Sequence, residues 1–231
     1  MKLAMRKGPH GGNMGRNAKL DQILMAQKQK LILETGFRVF SEHTIESVAM
    51  TDIAKEAGIG IATLYRYYRT KPKLVLAVSV YAWKNYVKAR RAAASQNQEV
   101  HACARDEFEY YLDSFIDLYR NHRNILRFNQ FFNVYLQNEK ISSEEIGPYT
   151  DFILKLKQRF LAICQRGEQD GTMKNELPAD QIFSITLHLM LAAVTRYAVG
   201  LVYNEGINPE EELLVQKRLL LKEFAVMPEQ E

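Results

Sequence analysis

The sequence predicts an all-α protein with a small helical head and a larger helical body, and three observations support this. Apolar residues recur at helical spacing, and no segment sustains the alternation of a half-buried strand. Polar segments containing Gly or Pro separate the helices. Residues 1–100 carry 17 Lys and Arg against 7 Asp and Glu, whereas the remaining residues carry 14 against 20. A basic first part and an acidic second part indicate a polyanion-binding module on a body with another role.

The composition limits the classes of function. The 231 residues can bury a sizeable core, and 47% hydrophobic with 25% charged residues is typical of a soluble globular protein. Cys103 and Cys164 are far apart, which favours a reducing cytoplasm and buried thiols over a redox sensor. The five histidines are scattered, and no nucleophile motif, phosphate-binding glycine loop or metal-ligand spacing occurs. We therefore expect no enzyme activity, no cofactor and no metal site.

Residues 1–20 are predicted to form a flexible basic leader. They lack the apolar stretch of a secretory signal. The favoured interpretation is a disordered tail that only raises nonspecific affinity for a polyanion, and the alternative, for a DNA partner, is an arm that enters a minor groove. The basic side chains of the leader are Lys2, Arg6, Lys7, Arg16 and Lys19.

The head is predicted to contain three helices, over residues 21–40, 49–57 and 61–68. Gly36 falls inside the first, where a close approach by a neighbouring helix would explain a glycine that costs about 1 kcal/mol relative to alanine. Gly58 ends the second helix and tolerates a positive φ.

The second and third helices form a helix-turn-helix pattern, over about residues 48–68. Ile53 and Leu64 must meet to set the angle at which the third helix enters a major groove. Residues on the outer face of that helix, Ala62, Thr63 and Arg66, are then free to meet base edges.

A long helix follows over residues 71–94, with Thr70 as its cap and Pro72 in its first turn. Lys71 and Lys73 lie in this first turn, where the helix dipole favours acids. Two lysines at this position are explained by an external phosphate, because helix N-termini and lysines both attract anions. The alternative is that both are merely solvated.

The segment GFRVFSEHTIESVAMTDIAKEAGIGIATLYRYYRTKPKLV, residues 36–75, closely resembles the DNA-binding domain of tetracycline-repressor (TetR) family regulators. The shared features are the aromatic-rich first helix, DIAKEAGI, TLYRYY and the lysine that follows. The resemblance implies a DNA-binding domain over residues 21–75 and an effector-binding and dimerisation domain over residues 76–231.

The resemblance also implies residue roles. Thr51, Tyr67 and Lys71 match phosphate-contact positions, Thr63 and Tyr65 match recognition positions, and Leu64 and Tyr68 match core positions. The full predicted DNA-binding set is Thr51, Gly60, Ile61, Ala62, Thr63, Tyr65, Arg66, Tyr67, Lys71 and Lys73.

Three residues depart from the family pattern. Ala49 replaces the usual Ser or Thr cap, so Ser47 or the local backbone must cap the second helix. Gly60 replaces a capping Ser at a cost of a few tenths of a kcal/mol. Ile61 replaces a residue that is often polar and offers an apolar contact, such as a thymine methyl, which would alter DNA preference.

The body is predicted to contain helices over residues 101–120, 122–137, 149–167, 179–203 and 209–225. Its aromatic residues could line an effector cavity or form solid core. The predicted pocket consists of Trp83, Tyr86, Tyr111, Phe115, Phe128, Phe131, Phe132, Tyr135 and His188. Arg127 and Asn129 are further polar candidates.

Residues 182–203 are long enough to span a bilayer. Because His188 and Arg196 lie inside this stretch, a buried helix in a soluble core or subunit interface is favoured. The last two helices could form a four-helix interface between two subunits. The predicted interface residues are Leu187, Leu191, Val194, Ala198, Leu213 and Leu220.

These observations together predict a cytoplasmic, homodimeric DNA-binding transcriptional regulator with a palindromic operator. The resemblance implies a repressor whose DNA affinity is lowered by a small apolar or aromatic effector. The alternative is a helical protein-interaction module whose basic head binds an acidic partner.

Overall fold

The computed structural model describes residues 13–96, 101–174, 176–201 and 205–227. Within these residues the chain forms nine α-helices, a short 3₁₀ turn at Ile45–Ser47 and no strand, which confirms the all-α prediction. The helices are α1 Asn13–Glu42, α2 Met50–Glu56, α3 Ile61–Tyr67, α4 Lys71–Gln96, α5 Ala104–Asn121, α6 Arg123–Asn138, α7 Ser143–Asp170, α8 Ala179–Val199 and α9 Pro209–Phe224.

Helix α1 begins eight residues earlier than predicted. Residues 13–20, assigned to the flexible leader, are therefore helical. Lys2, Arg6 and Lys7, with the side chain of Arg16, lie outside the described residues. Lys19 is exposed on α1.

Gly36 lies where α1 packs against α4. A β-carbon on Gly36 would lie 2.9 Å from Cγ2 of Val78, closer than packed carbon atoms approach. Val78 is β-branched and stiff in a helix, so it cannot easily move aside. The predicted close approach of a neighbouring helix is confirmed.

The turn between α2 and α3 also has the predicted geometry. Gly58 has φ of 63°, in the left-handed region. Its amide donates to Lys55 O at 3.1 Å, and the Ile59 amide donates to Ala54 O at 3.0 Å. Ile53 and Leu64 are completely buried in the same core. These contacts fix α3 relative to α2.

Helix α2 begins without the predicted help from Ser47. The Ser47 hydroxyl donates instead to Thr44 O at 2.8 Å, inside the 3₁₀ turn. At the start of α2, the Ala49 amide donates to the Asp52 carboxylate at 2.8 Å. Asp52 thus makes the one hydrogen bond of a capping box that needs no polar side chain at residue 49.

The core of the head continues into α6. Ile32, Phe40 and Leu74 pack in one buried cluster with residues from α2 and α3. Three aromatic residues of α6 complete the cluster, namely Phe128, Phe132 and Tyr135. Phe37 meets Phe128 edge to face, with ring centroids 5.7 Å apart. The head and the body therefore share a core through α6.

The body core is formed mainly by α5, α7, α8 and α9, and Tyr86 of α4 with Ile125 and Leu126 of α6 also belongs to it. Phe108, Phe160 and Phe224 are among its buried aromatic residues, and the Phe108 and Phe160 rings meet edge to face at 5.8 Å. Met173 forms an isolated antiparallel bridge with Ala225 and packs into this core. The bridge ties the loop after α7 to the end of α9.

Helix α7 begins six residues before the predicted position. Ser142 and Glu145 form a capping box, with the Glu145 amide donating to Ser142 Oγ at 3.2 Å and the Ser142 amide to Glu145 Oε2 at 3.3 Å. The helix accommodates Pro148 near its start.

Helix α8 is the one described helix whose length and apolar composition would allow it to cross a membrane. In the fold it packs against α5, α6, α7 and α9. It ends at Val199 rather than residue 203, where Gly200 has φ of 115°. Its packing agrees with the favoured interpretation of a core helix.

Candidate nucleic-acid interface

The outer face of α3 is open to solvent. Ile61, Ala62, Tyr65 and Arg66 are exposed, and Leu64 anchors the opposite face in the core. Gly60, the N-cap, has no atom within 4 Å of the position of a β-carbon. Another backbone or a base edge can therefore approach the start of α3 closely.

Thr63 is half-buried and Thr51 is exposed at the second position of α2. The Thr63 amide donates to Gly60 O at 2.9 Å, which closes the first turn of α3. Thr51 follows the capped start of α2, where helix amides favour an anion. The two threonines thus occupy different helix starts at the surface of the head.

Helix α1 supports the end of α3. The Tyr67 hydroxyl donates to Met25 O at 3.4 Å, and Gln29 Nε2 donates to the Tyr68 hydroxyl at 3.3 Å. Tyr68 is buried, which raises the pKa of its hydroxyl. Neither Met25 nor Gln29 could be predicted as a support of α3, because both lie on an exposed stretch of α1.

Lys71 is less free than the sequence suggests. Its ammonium donates to Glu46 O at 3.3 Å and lies 5.7 Å from the centre of the Tyr135 ring. Partial burial lowers the pKa of this ammonium, an effect opposed by the nearby carboxylate of Glu46. Lys71 therefore connects the 3₁₀ turn, the start of α4 and α6.

Lys73 is exposed, and its ammonium lies 3.9 Å from Glu145 Oε1 of α7. Thr70 caps α4 as predicted, since its hydroxyl accepts from the Lys73 amide at 3.4 Å. The pairing of Glu145 of the body with Lys73 of the head was not predicted from the sequence. The spacing Ser142–x–x–Glu145 was the signal that places it at a helix start.

A family model described as "Bacterial regulatory proteins, tetR family" matches residues 32–78. The chain carries a TetR-family DNA-binding domain. This TetR-type domain comprises the second half of α1, both helices of the helix-turn-helix and the first turns of α4.

Curated relatives match the same region. The chain is 38% identical over 52 residues to the HTH-type transcriptional regulator SAB2452 of Staphylococcus aureus strain bovine RF122 / ET3-1. It is 40% identical over 48 residues to SAUSA300_2515 of S. aureus strain USA300. These matches cover 22% and 21% of this chain and 28% and 26% of the relatives. The chain thus spans about a quarter of the length of the curated relatives it matches.

Solved structures share the fold over most of the chain. The transcriptional regulator FadR from Bacillus subtilis, in complex with stearoyl-CoA, aligns with a TM-score of 0.65 at 15% identity over 84% of this chain and 97% of its own. A putative transcriptional regulator from Saccharomonospora viridis, in complex with choline, aligns with a TM-score of 0.68 at 16% identity over 87% and 100%. The proteins matched are regulators rather than enzymes.

The predicted effector pocket is not one site. Trp83, Tyr86, Tyr111 and Phe115 pack in or against the body core. The α6 members, Phe128, Phe131, Phe132 and Tyr135, pack in or against the core of the head. His188 lies exposed on α8, and Arg127 is exposed on α6. The error arises because α6 directs its aromatic face towards α1 and α4.

The predicted interface residues also require correction. Val194, Leu213 and Leu220 are buried in the core of their own chain, so they cannot meet a second subunit. Leu187, Leu191 and Ala198 are half-buried against that core. The large apolar side chains that remain exposed on α8 and α9 are Ile185, Leu189, Val199, Val215 and Leu219. We call these five residues the outer apolar face.

No group of three or more His, Cys, Asp or Glu side chains in the described ranges could hold a metal ion. The buried Cys164 thiol has a pKa raised to about 11, mainly by burial, and is thus protonated at neutral pH.

Proposed function

We propose that this chain is a cytoplasmic, homodimeric transcriptional regulator, and specifically a repressor that an effector releases from DNA. The observation that carries the proposal is the TetR-type helix-turn-helix, in which a buried Ile53–Leu64 core and the Gly58 turn leave the outer face of α3 open. A major groove admits one α-helix presented in this way.

On the proposed function, contacts divide into two kinds. Thr63, Tyr65 and Arg66 meet base edges, and Ile61 meets a thymine methyl. Thr51, Tyr67, Lys71 and Lys73 meet phosphates and set the register of α3 on the duplex. Gly60 and Ala62 allow close approach because they are small.

A palindromic operator follows from the proposed dimer. The outer apolar face provides a surface that a second copy could cover by two-fold symmetry. Two heads held in this way would read two half-sites spaced by about one helical turn. The structural relatives in complex with stearoyl-CoA and with choline support a ligand site in the body.

The proposal is tested by fluorescence anisotropy with DNA flanking the chain's own gene and with a selected random pool. We expect specific binding that weakens steeply as salt rises, because lysines and arginines release counterions from phosphates. If neither DNA sample binds in a salt-dependent way, the chain is not a DNA-binding regulator and the basic head must serve an acidic protein partner.

Separate variants test the two kinds of contact. Thr63→Ala should lose roughly 5- to 150-fold in affinity for the preferred half-site and little for sites altered at the contacted base. Tyr67→Phe and Lys71→Ala should weaken binding to all sequences alike, and Lys71→Ala should reduce the salt slope by about 1. The measurement is a binding series over half-site variants. Equal, sequence-independent losses for all three variants would contradict the division.

The Lys73–Glu145 ion pair offers a further test. Glu145→Gln should free Lys73 for phosphate and tighten DNA binding roughly two- to fivefold at low salt, the scale of one exposed ion pair. Glutamine can retain the capping box, so α7 should still begin at the same residue.

The matched control for this test is Glu144→Gln. It removes the same charge one position earlier in the same helix turn, from an exposed side chain. Anisotropy against salt measures both variants. An equal gain in both would show a general charge effect and would reject a specific role for the Lys73 pair.

A further inference from the structure

A cleft of about 550 Å³ lies between α6 and α8, open to solvent on one side. Three amide side chains of α6 line one wall, those of Asn129, Gln130 and Asn133. The α8 wall carries His188, Thr195 and Arg196 among its polar groups. The volume lies within the range of small-molecule sites, and polar groups converge on it from both helices.

Two polar residues that line the cleft are buried. Thr195 is 7% exposed, and its hydroxyl has no hydrogen-bond partner among the described residues. Asn129 is 4% exposed and lines the same cleft. A buried hydroxyl without a partner is costly, and native structures rarely leave one unless a ligand or water completes it.

The charge in the cleft selects the kind of ligand. Arg196 is exposed at its edge and forms no ion pair within the described part of the chain. His188 adds an imidazole, whose Nδ1 lies 3.4 Å from the Ser184 hydroxyl, and the described lining contains no Asp or Glu. A guanidinium with free donors pairs best with a carboxylate, which it can bind through two parallel hydrogen bonds.

Apolar side chains provide the rest of the wall. Leu191, Ala192 and Val199 line the cleft beside the polar groups. A ligand that satisfies both parts has an anionic end and a short hydrocarbon body. We propose that the α6–α8 cleft binds a small organic monocarboxylate, with the carboxylate on Arg196 and Thr195 and the hydrocarbon on Leu191 and Val199.

The proposed ligand site deepens the proposed function. Ligand binding itself does not depend on that function, and only the effect of the ligand on DNA affinity rests on it. Asn129 and Asn133 share α6 with Phe128 and Phe132, which belong to the core of the head. Tyr135, also on α6, lies beside the Lys71 ammonium. A ligand that moves α6 would thereby disturb a phosphate-binding lysine and lower DNA affinity.

Isothermal titration calorimetry of the full chain, without DNA, tests the site. The probes are octanoate and benzoate, each compared with its neutral amide. We expect at least one carboxylate to bind once per chain and at least tenfold more tightly than its amide. Absence of saturable binding by both carboxylates, or equal binding by the amides, would overturn the proposal.

Variants locate the site. Arg196→Gln should lower carboxylate affinity at least tenfold, and Thr195→Val should lower it severalfold. Arg127→Gln is the matched control, because Arg127 is an exposed arginine of α6 that does not line the cleft. Circular dichroism confirms folding of each variant. Equal losses for Arg196→Gln and Arg127→Gln would place binding elsewhere.

Anisotropy with operator DNA then separates the two proposals. The carboxylate that binds should lower DNA affinity at least fivefold in the wild type and leave it unchanged in Arg196→Gln. Ligand binding without a change in DNA affinity would reject regulation through this cleft. Absence of DNA binding under all conditions would reject the proposed regulator, while calorimetry would still decide whether the site exists.

Discussion

Leu189→Glu is expected to break the proposed dimer into monomers and to lower operator affinity by roughly 100-fold or more. Leu189 is 55% exposed on α8, and Leu219 is 61% exposed on α9. A carboxylate in the middle of an apolar interface would lose its hydration without gaining a partner. In a dimer, binding of the first head raises the effective concentration of the second head at its half-site, which increases the overall DNA affinity by about 10² to 10⁴. A monomer would lose this increase.

Sedimentation velocity at micromolar concentration measures the first effect, and anisotropy with a two-site operator measures the second. Leu154→Glu is the matched control. Leu154 is a comparable leucine, 49% exposed, and it lies on α7 rather than on α8 or α9. If Leu189→Glu remains dimeric, or if only Leu154→Glu dissociates, the proposed interface is wrong.

Gly167→Ala is expected to lower the free energy of unfolding by roughly 2 kcal/mol. A β-carbon at this position would lie 2.1 Å from Cγ and 2.4 Å from Cβ of Met173, and 3.3 Å from Cβ of Ala104. The Met173 atoms lie close to its backbone, which the bridge to Ala225 holds in place. Overpacking of this kind costs about 1–3 kcal/mol or more, and it exceeds the gain of about 1 kcal/mol from helix propensity.

Gly147→Ala provides the control in the same helix. Apart from its chain neighbours, no atom lies within 4 Å of a β-carbon at Gly147. The gain in helix propensity is therefore opposed only by the ring of Pro148, which disfavours a β-carbon on the preceding helical residue, and stability should change by less than about 1 kcal/mol. Urea unfolding followed by circular dichroism measures both variants. If Gly167→Ala costs no more than Gly147→Ala, Met173 can move away from α7 without cost.

The elements of the head could be predicted because local rules and tertiary packing agree there. A positive φ favours glycine at position 58, and the close contact with Val78 favours glycine at position 36. Each of these two glycines in the sequence therefore indicated a feature of the backbone geometry. The start of α7 was misplaced because Pro148 and the polar residues before it were interpreted as a connection. The capping box of Ser142 and Glu145 outweighs that signal.

The surfaces of the body could not be predicted in the same way. Helix α8 is apolar on most of its circumference, so periodicity does not distinguish the face that meets the core from the face that meets solvent. Val194 and Leu189 are both apolar residues of the same helix, yet one is fully buried and the other is more than half exposed. Only the positions of α5, α6, α7 and α9 separate them.

The aromatic residues present the same difficulty. Phe115 and Phe132 have similar sequence surroundings, but they belong to different cores. Which core an aromatic residue joins depends on the direction of its helix in the assembled fold, and this information is absent from local spacing. The polar cleft between α6 and α8 was likewise visible only in part, through Asn129 and His188.

The sharing of Phe128, Phe132 and Tyr135 between α6 and the head limits how such a protein can be recombined. A fragment cut at residue 75 would expose Ile32, Phe40 and Leu74 where three rings had covered them. Exchange of DNA specificity between two such chains would thus need the donor's α6 together with its head, or else substitutions confined to the solvent-facing side of α3. Evolution of new target sequences should accordingly proceed by point changes on that side more readily than by shuffling of whole heads.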